Sequence, residues 1–192
     1  VKSIVVLASG SGSNFENLVL AGRDGRLAMR VVALISDRKK AGCIERAERL
    51  GVPSYVLVQA QTATGAIEHD QALAERLKSL KPDWILLAGY LRKIGPEVLK
   101  SFPDRIINIH PSLLPSYGGK GMYGEKVFAA VLHAGEAQTG VTVHLVNEHF
   151  DQGRILEQRT IAIDEGETVA TLRSKTQKVE HDLFISVLNK LC

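Results

Sequence analysis

Cysteine is nearly missing: Cys43 and Cys192 are the two in 192 residues, far apart and in no metal-ligand or redox spacing. That excludes a disulfide-built scaffold and points to a reducing compartment. Long apolar runs are missing too. No stretch approaches the ~18 consecutive apolar residues of a membrane span, and the apolar start Val1–Ala8 shows neither a basic leader nor a cleavage site. A cytoplasmic protein with no membrane partner is expected. Charge of one sign is scarce, since the net +3 is spread through interspersed acidic and basic residues. That is no nucleic-acid footprint, which needs a clustered basic stripe, but it suits a small anionic ligand. Also absent are an internal repeat, a low-complexity linker, a cluster of metal ligands and a Ser or Cys in a nucleophile turn. A metal centre and an acyl-enzyme are therefore disfavoured. With 45% hydrophobic and 23% charged residues, the chain has the composition of one globular domain.

What is present is a rhythm of short β-branched runs, turns and amphipathic stretches. Ile4–Ala8 reads as a strand buried on both faces, being apolar without alternation. A helix over Asn14–Ala21, a strand Val31–Ile35, a helix Gly42–Leu50 and a weaker strand Ser54–Val58 follow. The helix Ile67–Leu80 is expected to bury Ile67, Leu73, Leu77 and Leu80. After it come a strand Trp84–Ala88, a proline-opened helix Pro96–Phe102 and a strand Arg105–His110. Such alternation implies right-handed crossovers and an α/β, doubly wound, mostly parallel sheet, with ligands at the carboxyl ends of its strands. Beyond His110 the pattern changes. A glycine- and proline-rich loop Pro111–Gly124 precedes a helix Lys126–His133, then strands Thr139–Val146 and Ile155–Ile163 around the Asp151-Gln152-Gly153 turn. The two strands suggest a C-terminal antiparallel hairpin, and Thr168–Leu191 reads as a closing helix.

Two places carry chemistry. Ser9-Gly10-Ser11-Gly12-Ser13-Asn14 links the first strand to the first helix. Gly10 and Gly12 can take positive φ and let an anion approach the backbone, and the helix start beyond offers free N–H groups. A phosphate cradle is one reading and a capped turn the other, in equal balance on this turn alone. The spacing fits neither a dinucleotide nor a triphosphate loop, so a phosphate monoester suits it better. The second place is Asn108-Ile109-His110-Pro111, where period two puts Asn108 and His110 on one side of a strand end stopped by proline. An amide and an imidazole there suit acyl transfer: Asn108 as donor to an oxyanion, His110 as general acid. Asp151 lies on a turn near the same edge, and its carboxylate would raise the His110 pKa. His144 is open between site and solvent. His69, His133, His149 and His181 are expected at the surface or as helix caps.

These segments, with Leu87-Ala88-Gly89-Tyr90-Leu91-Arg92, Gly140-Val141-Thr142-Val143-His144 and Glu180-His181, resemble the folate-dependent formyltransferases. The glycine-serine-asparagine turn narrows the resemblance to the phosphoribosylglycinamide formyltransferases, also called glycinamide ribonucleotide transformylases. The resemblance covers nearly the whole chain. It implies a Rossmann-like formyltransferase fold in a single domain 1–192, with residues 1–110 the phosphoribosyl-binding half and 111–192 the folate side. It also implies transfer of a formyl group from 10-formyltetrahydrofolate to 5′-phosphoribosylglycinamide in purine biosynthesis, by a monomer or homodimer without metal. The family's catalytic trio falls on Asn108, His110 and Asp151. Its phosphate loop falls on Gly12, Ser13 and Asn14, and its ribose contact on Glu180. Leu91, Arg92, Lys93 and Ile94, with Asn108, match the folate pocket, where main-chain groups read the pterin and Arg92 meets the carboxylate tail.

The chain departs from the family pattern twice. Thr64-Gly65-Ala66 offers no cation where members often carry an Arg, and Ser116–Gly124 is glycine-rich rather than histidine-rich, suggesting a mobile segment. The alternatives are a formyltetrahydrofolate hydrolase, or a formyltransferase acting on methionyl-tRNA or a sugar nucleotide, which usually need a further domain. A non-catalytic phosphate-binding module is the other, and it would have no use for the trio.

Overall fold

The computed structural model describes residues 1–192. In chain order the elements are β1 (Lys2–Leu7), α1 (Ser13–Arg23), β2 (Met29–Ser36), α2 (Gly42–Arg49), β3 (Ser54–Val56), α3 (Gly65–Leu80), β4 (Trp84–Leu87), α4 (Pro96–Ser101), β5 (Ile106–His110), α5 (Glu125–His133), β6 (Gln138–Leu145), β7 (Ile155–Ala162) and α6 (Val169–Asn189). One seven-stranded sheet runs β3-β2-β1-β4-β5-β6-β7. The first five strands pair in parallel, and β6 and β7 are antiparallel additions. The expected architecture, including the hairpin and the closing helix, is therefore the observed one.

β1 is central because from Ile4 onward it has nothing polar to show either face. Ile4, Val6 and Ala8 pack toward Phe15 and Leu18 of α1 and Leu183 and Phe184 of α6, while Val5 and Leu7 pack toward Leu73 and Leu77 of α3. Burying such a side chain stabilises the fold by roughly 1.5–3 kcal/mol. The sheet is thus covered on both faces, as parallel strands require. Chain order reverses between β1 and β4, and the crevice outside their carboxyl ends is where such sheets take ligands.

Two expectations on α3 are corrected. Ile67 is 60% exposed; it lies about 80° round the helix from Leu77 and about 120° from Leu73, off the face that meets the sheet. His69, expected at the surface, is buried together with Asp70. It stands four residues before Leu73, and so on the inward face.

Candidate active site

The crevice holds a cavity of about 600 Å³ walled by the turn after β1, the segment after β4, the end of β5, the Gly119–Gly124 loop and α6. A narrower cavity adjoins it, lined by Leu87, Tyr90, Arg92, Ile94, His144 and Phe150 among others. Asn108 and Asp151 line both cavities, so these two side chains stand where the cavities meet.

On the β1 side the turn is fixed by close approach. Gly12, at φ 79°, caps α1, and a Cβ there would come within 2.5 Å of the Cβ of Cys43. No side chain fits. Gly10, expected to share the positive φ, does not adopt it and has open space around it. The first-turn N–H groups of α1 have no partner within the helix and face the cavity's anion-favouring end. The Ser13 hydroxyl oxygen accepts from Gln177 Nε2 at 2.5 Å, which leaves its proton to donate. The Asn14 amide donates to Glu180 Oε2 at 2.7 Å, so its side chain is turned to Glu180. Burial pushes the Glu180 carboxyl up from its ordinary value, against the pull of the Asn14 hydrogen bond.

At the sheet's other side three expected residues come together with a fourth. The antiparallel register sets Asn108 beside His144 and His110 beside Thr142. Asp151, at φ 56° on the turn before β7, reaches back over them. Its Oδ2 lies 3.7 Å from His110 Nδ1, and its Oδ1 lies 3.6 Å from His144 Nε2 and 3.4 Å from the Asn108 amide nitrogen. The His144 Nδ1–H donates to the Leu145 carbonyl at 2.8 Å, because a carbonyl can only accept. Nε2 is thereby left to accept from Asn108 Nδ2 at 3.0 Å. His144 faces the site, not solvent, and orients the Asn108 amide.

His110 is 4% exposed. Its Nε2–H donates to the Tyr117 carbonyl at 2.8 Å, so a neutral ring presents a bare Nδ1 to the Asp151 carboxylate. Burial pulls the His110 pKa below its ordinary value, and Asp151 and the Tyr117 carbonyl pull it up without overcoming that. The expected upward push from Asp151 is thus present, but the net direction is down. Burial pushes the Asp151 carboxyl up, yet His144, His110 and the Gly119 N–H together hold it below the usual range. It remains an anion. Gly119 N donates to Asp151 Oδ2 at 2.9 Å, so the glycine-rich loop touches both the acid and the imidazole.

Leu91–Ile94 runs along the narrower cavity, with Ile94 buried and Lys93 exposed. The Leu91 N–H is already committed to Ser9 Oγ at 2.9 Å. Arg92 is also engaged: its Nε donates to Asp37 at 3.1 Å and its Nη1 to Gln59 at 3.0 Å. No three His, Cys, Asp or Glu side chains converge as metal ligands, and no helix is long and apolar enough to cross a membrane.

Sequence reasoning missed Gln177 and left His144 undecided. Gln177 lies three residues before Glu180, on the same face of α6, and that spacing was a usable signal. For His144, the signal was its period-two partnership with Thr142 on the strand beside Asn108.

A mixed sheet of this order, with an amide, an imidazole and a carboxylate converging between two cavities, defines a class of group-transfer enzyme. Residues 2–188 match the family model described as formyl transferase, and the chain belongs to that family. A Bacillus subtilis protein named phosphoribosylglycinamide formyltransferase is 37% identical over all of this chain and 95% of its own length. The chloroplastic phosphoribosylglycinamide formyltransferase of Arabidopsis thaliana is 39% identical over the whole chain. The chain spans 65% of the length of that plant protein and 61% of its Vigna unguiculata counterpart. The crystal structure of glycinamide ribonucleotide transformylase 1 from Geobacillus kaustophilus superposes with a TM-score of 0.89 at 41% identity, covering 99% of this chain and 98% of that one.

Proposed function

We propose that the chain transfers a formyl group from 10-formyltetrahydrofolate to the amine of 5′-phosphoribosylglycinamide, a step of purine biosynthesis. The observation that carries this reading is the position of Asn108 and Asp151 at the junction of two cavities, one bordered by an anion cradle and one with apolar walls. A ribonucleotide phosphate suits Gly12, Ser13 and Asn14, with Glu180 accepting from ribose hydroxyls. A flat heterocycle suits the cavity beside Leu91, Arg92, Lys93 and Ile94. That cavity is narrow, and the wall that gives way is the exposed stretch through His149 and Phe150. Residues 1–110 supply the cradle and the donor segment, and residues 111–192 add Asp151, the loop and Glu180.

In the reaction the substrate amine attacks the formyl carbon. The Asn108 amide exchanges its long contact with Asp151 for the developing oxyanion. The carbon–N10 bond then breaks as His110, in its charged form, gives N10 a proton, and the proton that the attacking nitrogen loses passes to the imidazole left neutral. Asp151 favours the charged imidazole as this happens. The Tyr117 carbonyl must leave His110 Nε2 for the proton to reach a substrate, so loop movement accompanies closure. The test is incubation of the chain with both substrates, following formylated ribonucleotide and free formate separately. Formylated product at the expense of the donor is expected. Formate release that is indifferent to the ribonucleotide would instead identify a hydrolase.

A further inference from the structure

Behind the donor segment lie three buried polar side chains that touch neither cavity. They come from two elements far away in sequence. His69 on α3 is 7% exposed, and its Nε2 meets the Tyr90 hydroxyl at 2.8 Å. Asp37, just past β2, is 3% exposed; its Oδ2 holds Arg92, and its Oδ1 is buried without a partner. Asp70, next to His69, accepts from the N–H groups of Glu97 and Val98 at 2.8 and 3.4 Å, anchoring the start of α4 where the segment ends. Gly95 is there because a Cβ would come 2.2 Å from the Asp70 carboxyl carbon.

A buried polar group must be matched or it destabilises the fold, so an apolar residue would serve plain packing better than a histidine or an aspartate. His69 and Asp37 are matched toward the cavities, and Asp70 toward the backbone of α4. The partner of His69 is Tyr90, which borders both cavities, and that of Asp37 is Arg92, which borders the narrower one. Tyr90 has two rotatable side-chain bonds and a hydroxyl at its end, so a hydrogen bond there fixes the direction in which the side chain points. Arg92, gripped at Nε and Nη1, keeps one guanidinium edge free.

We propose that His69 and Asp37 are positioning residues for the formyl-donor segment, fixing from behind the two side chains, Tyr90 and Arg92, that it presents to the cavity. This rests on the reading of Leu91–Ile94 as the donor's site. Burial supports it chemically, since it pulls the His69 pKa down and pushes the Tyr90 hydroxyl up, keeping the pair neutral and hydrogen-bonded.

Steady-state kinetics with each substrate varied in turn, beside thermal melts, test the inference. His69→Leu is expected to raise the KM for 10-formyltetrahydrofolate roughly 3–10-fold, the scale of one buried hydrogen bond. Its ribonucleotide KM and kcat should stay within about two-fold. Tyr90→Phe should reproduce the donor effect, and the double variant should add nothing to it, as expected for partners in one bond. His69→Gln, which keeps a polar atom near the Nε2 position, should restore most of the donor KM. Asp37→Ala should raise the same KM, and Asp37→Asn, which keeps an oxygen for Arg92, should raise it less. A lowered melting temperature with an unmoved donor KM makes these residues structural and overturns the inference. A rise in the ribonucleotide KM alone overturns the donor assignment together with it, as does a wild-type chain with no turnover of the donor.

Discussion

The two walls of the site, which spans both cavities, are held by different means. On the parallel side each group is backed by something buried. Gly12 rests against Cys43, Leu91 N–H is taken by Ser9, Arg92 by Asp37 and Tyr90 by His69. On the antiparallel side Asp151 sits at positive φ on a turn and accepts from Gly119, in a loop where Tyr117, Gly119, Gly121 and Gly124 all have positive φ. Nothing lies within 4 Å of where a Cβ would be at Gly119, Gly121 or Gly124. The root of that loop is firm all the same, since Thr142 Oγ1 accepts from Leu114 N and donates to Ser112 O. Under the proposed function this difference divides the labour: the parallel side recognises, with its entropy already lost on folding, and the antiparallel side carries the proton chemistry and moves.

The comparison breaks most visibly at His110. His110→Ala is expected to lower turnover by roughly 10²–10⁴-fold, the usual scale for a general acid. Both KM values should change little, as read from initial rates with each substrate varied. A large KM effect with intact turnover would make this wall part of the recognition side. Next in size is Gly12→Val. A side chain there meets Cys43 and an unfavourable φ, so the ribonucleotide KM should rise at least ~10-fold, by blocking backbone approach to phosphate. The melting temperature should fall as well, because the clash is with the core. Gly121→Ala is the contrasting variant. Its cost is the strained φ alone, about 1–2 kcal/mol, and it should slow turnover without raising the ribonucleotide KM.

The smallest effect is at Glu180. Its folded carboxyl titrates above the ordinary 4.5 because it is buried. The folded state therefore holds the proton more tightly than the unfolded one, and a stability penalty grows as pH rises through that raised value. Glu180→Gln removes the penalty. It should raise the melting temperature at neutral pH, with the gain gone at pH values below 4.5, while the ribonucleotide KM rises a few-fold. No gain at neutral pH would place the penalty elsewhere.

Each wall was legible in the sequence only where its residues are contiguous, and the reason is physical. A strand, a glycine turn and a helix start are contiguous, so a cradle could be read from Ile4 to Asn14 without any tertiary knowledge, in even balance with a capped turn. Asn108 and His110 were readable because the β period of two is local. Their company was not. Whether His144 faced Asn108 depended on the register of β5 with β6, and a slip of one residue would have turned it to the other face. His69 looked like a surface residue because a polar side chain on an apolar helix face makes sense only once Tyr90 is known to lie opposite. That Arg92 is held at Nε by Asp37 and at Nη1 by Gln59 was not readable either, because the fold brings both from far away in sequence. The net direction of the His110 pKa turned on burial, which no neighbouring residue in the chain announced.

The proton chemistry proposed for the antiparallel wall turns on Asp151 acting through His110 rather than shaping a turn. The most direct measurement is single-turnover formyl transfer by Asp151→Asn across pH, beside the wild type. As a proton donor His110 stops working as pH rises through its lowered pKa, so the wild-type rate falls on the alkaline side. Loss of the Asp151 charge lowers that pKa further. The variant should therefore be slower by roughly 10²–10⁴-fold at its best pH, with its alkaline limb displaced to lower pH. A rate near wild type, with the limb in the same place, would contradict the account.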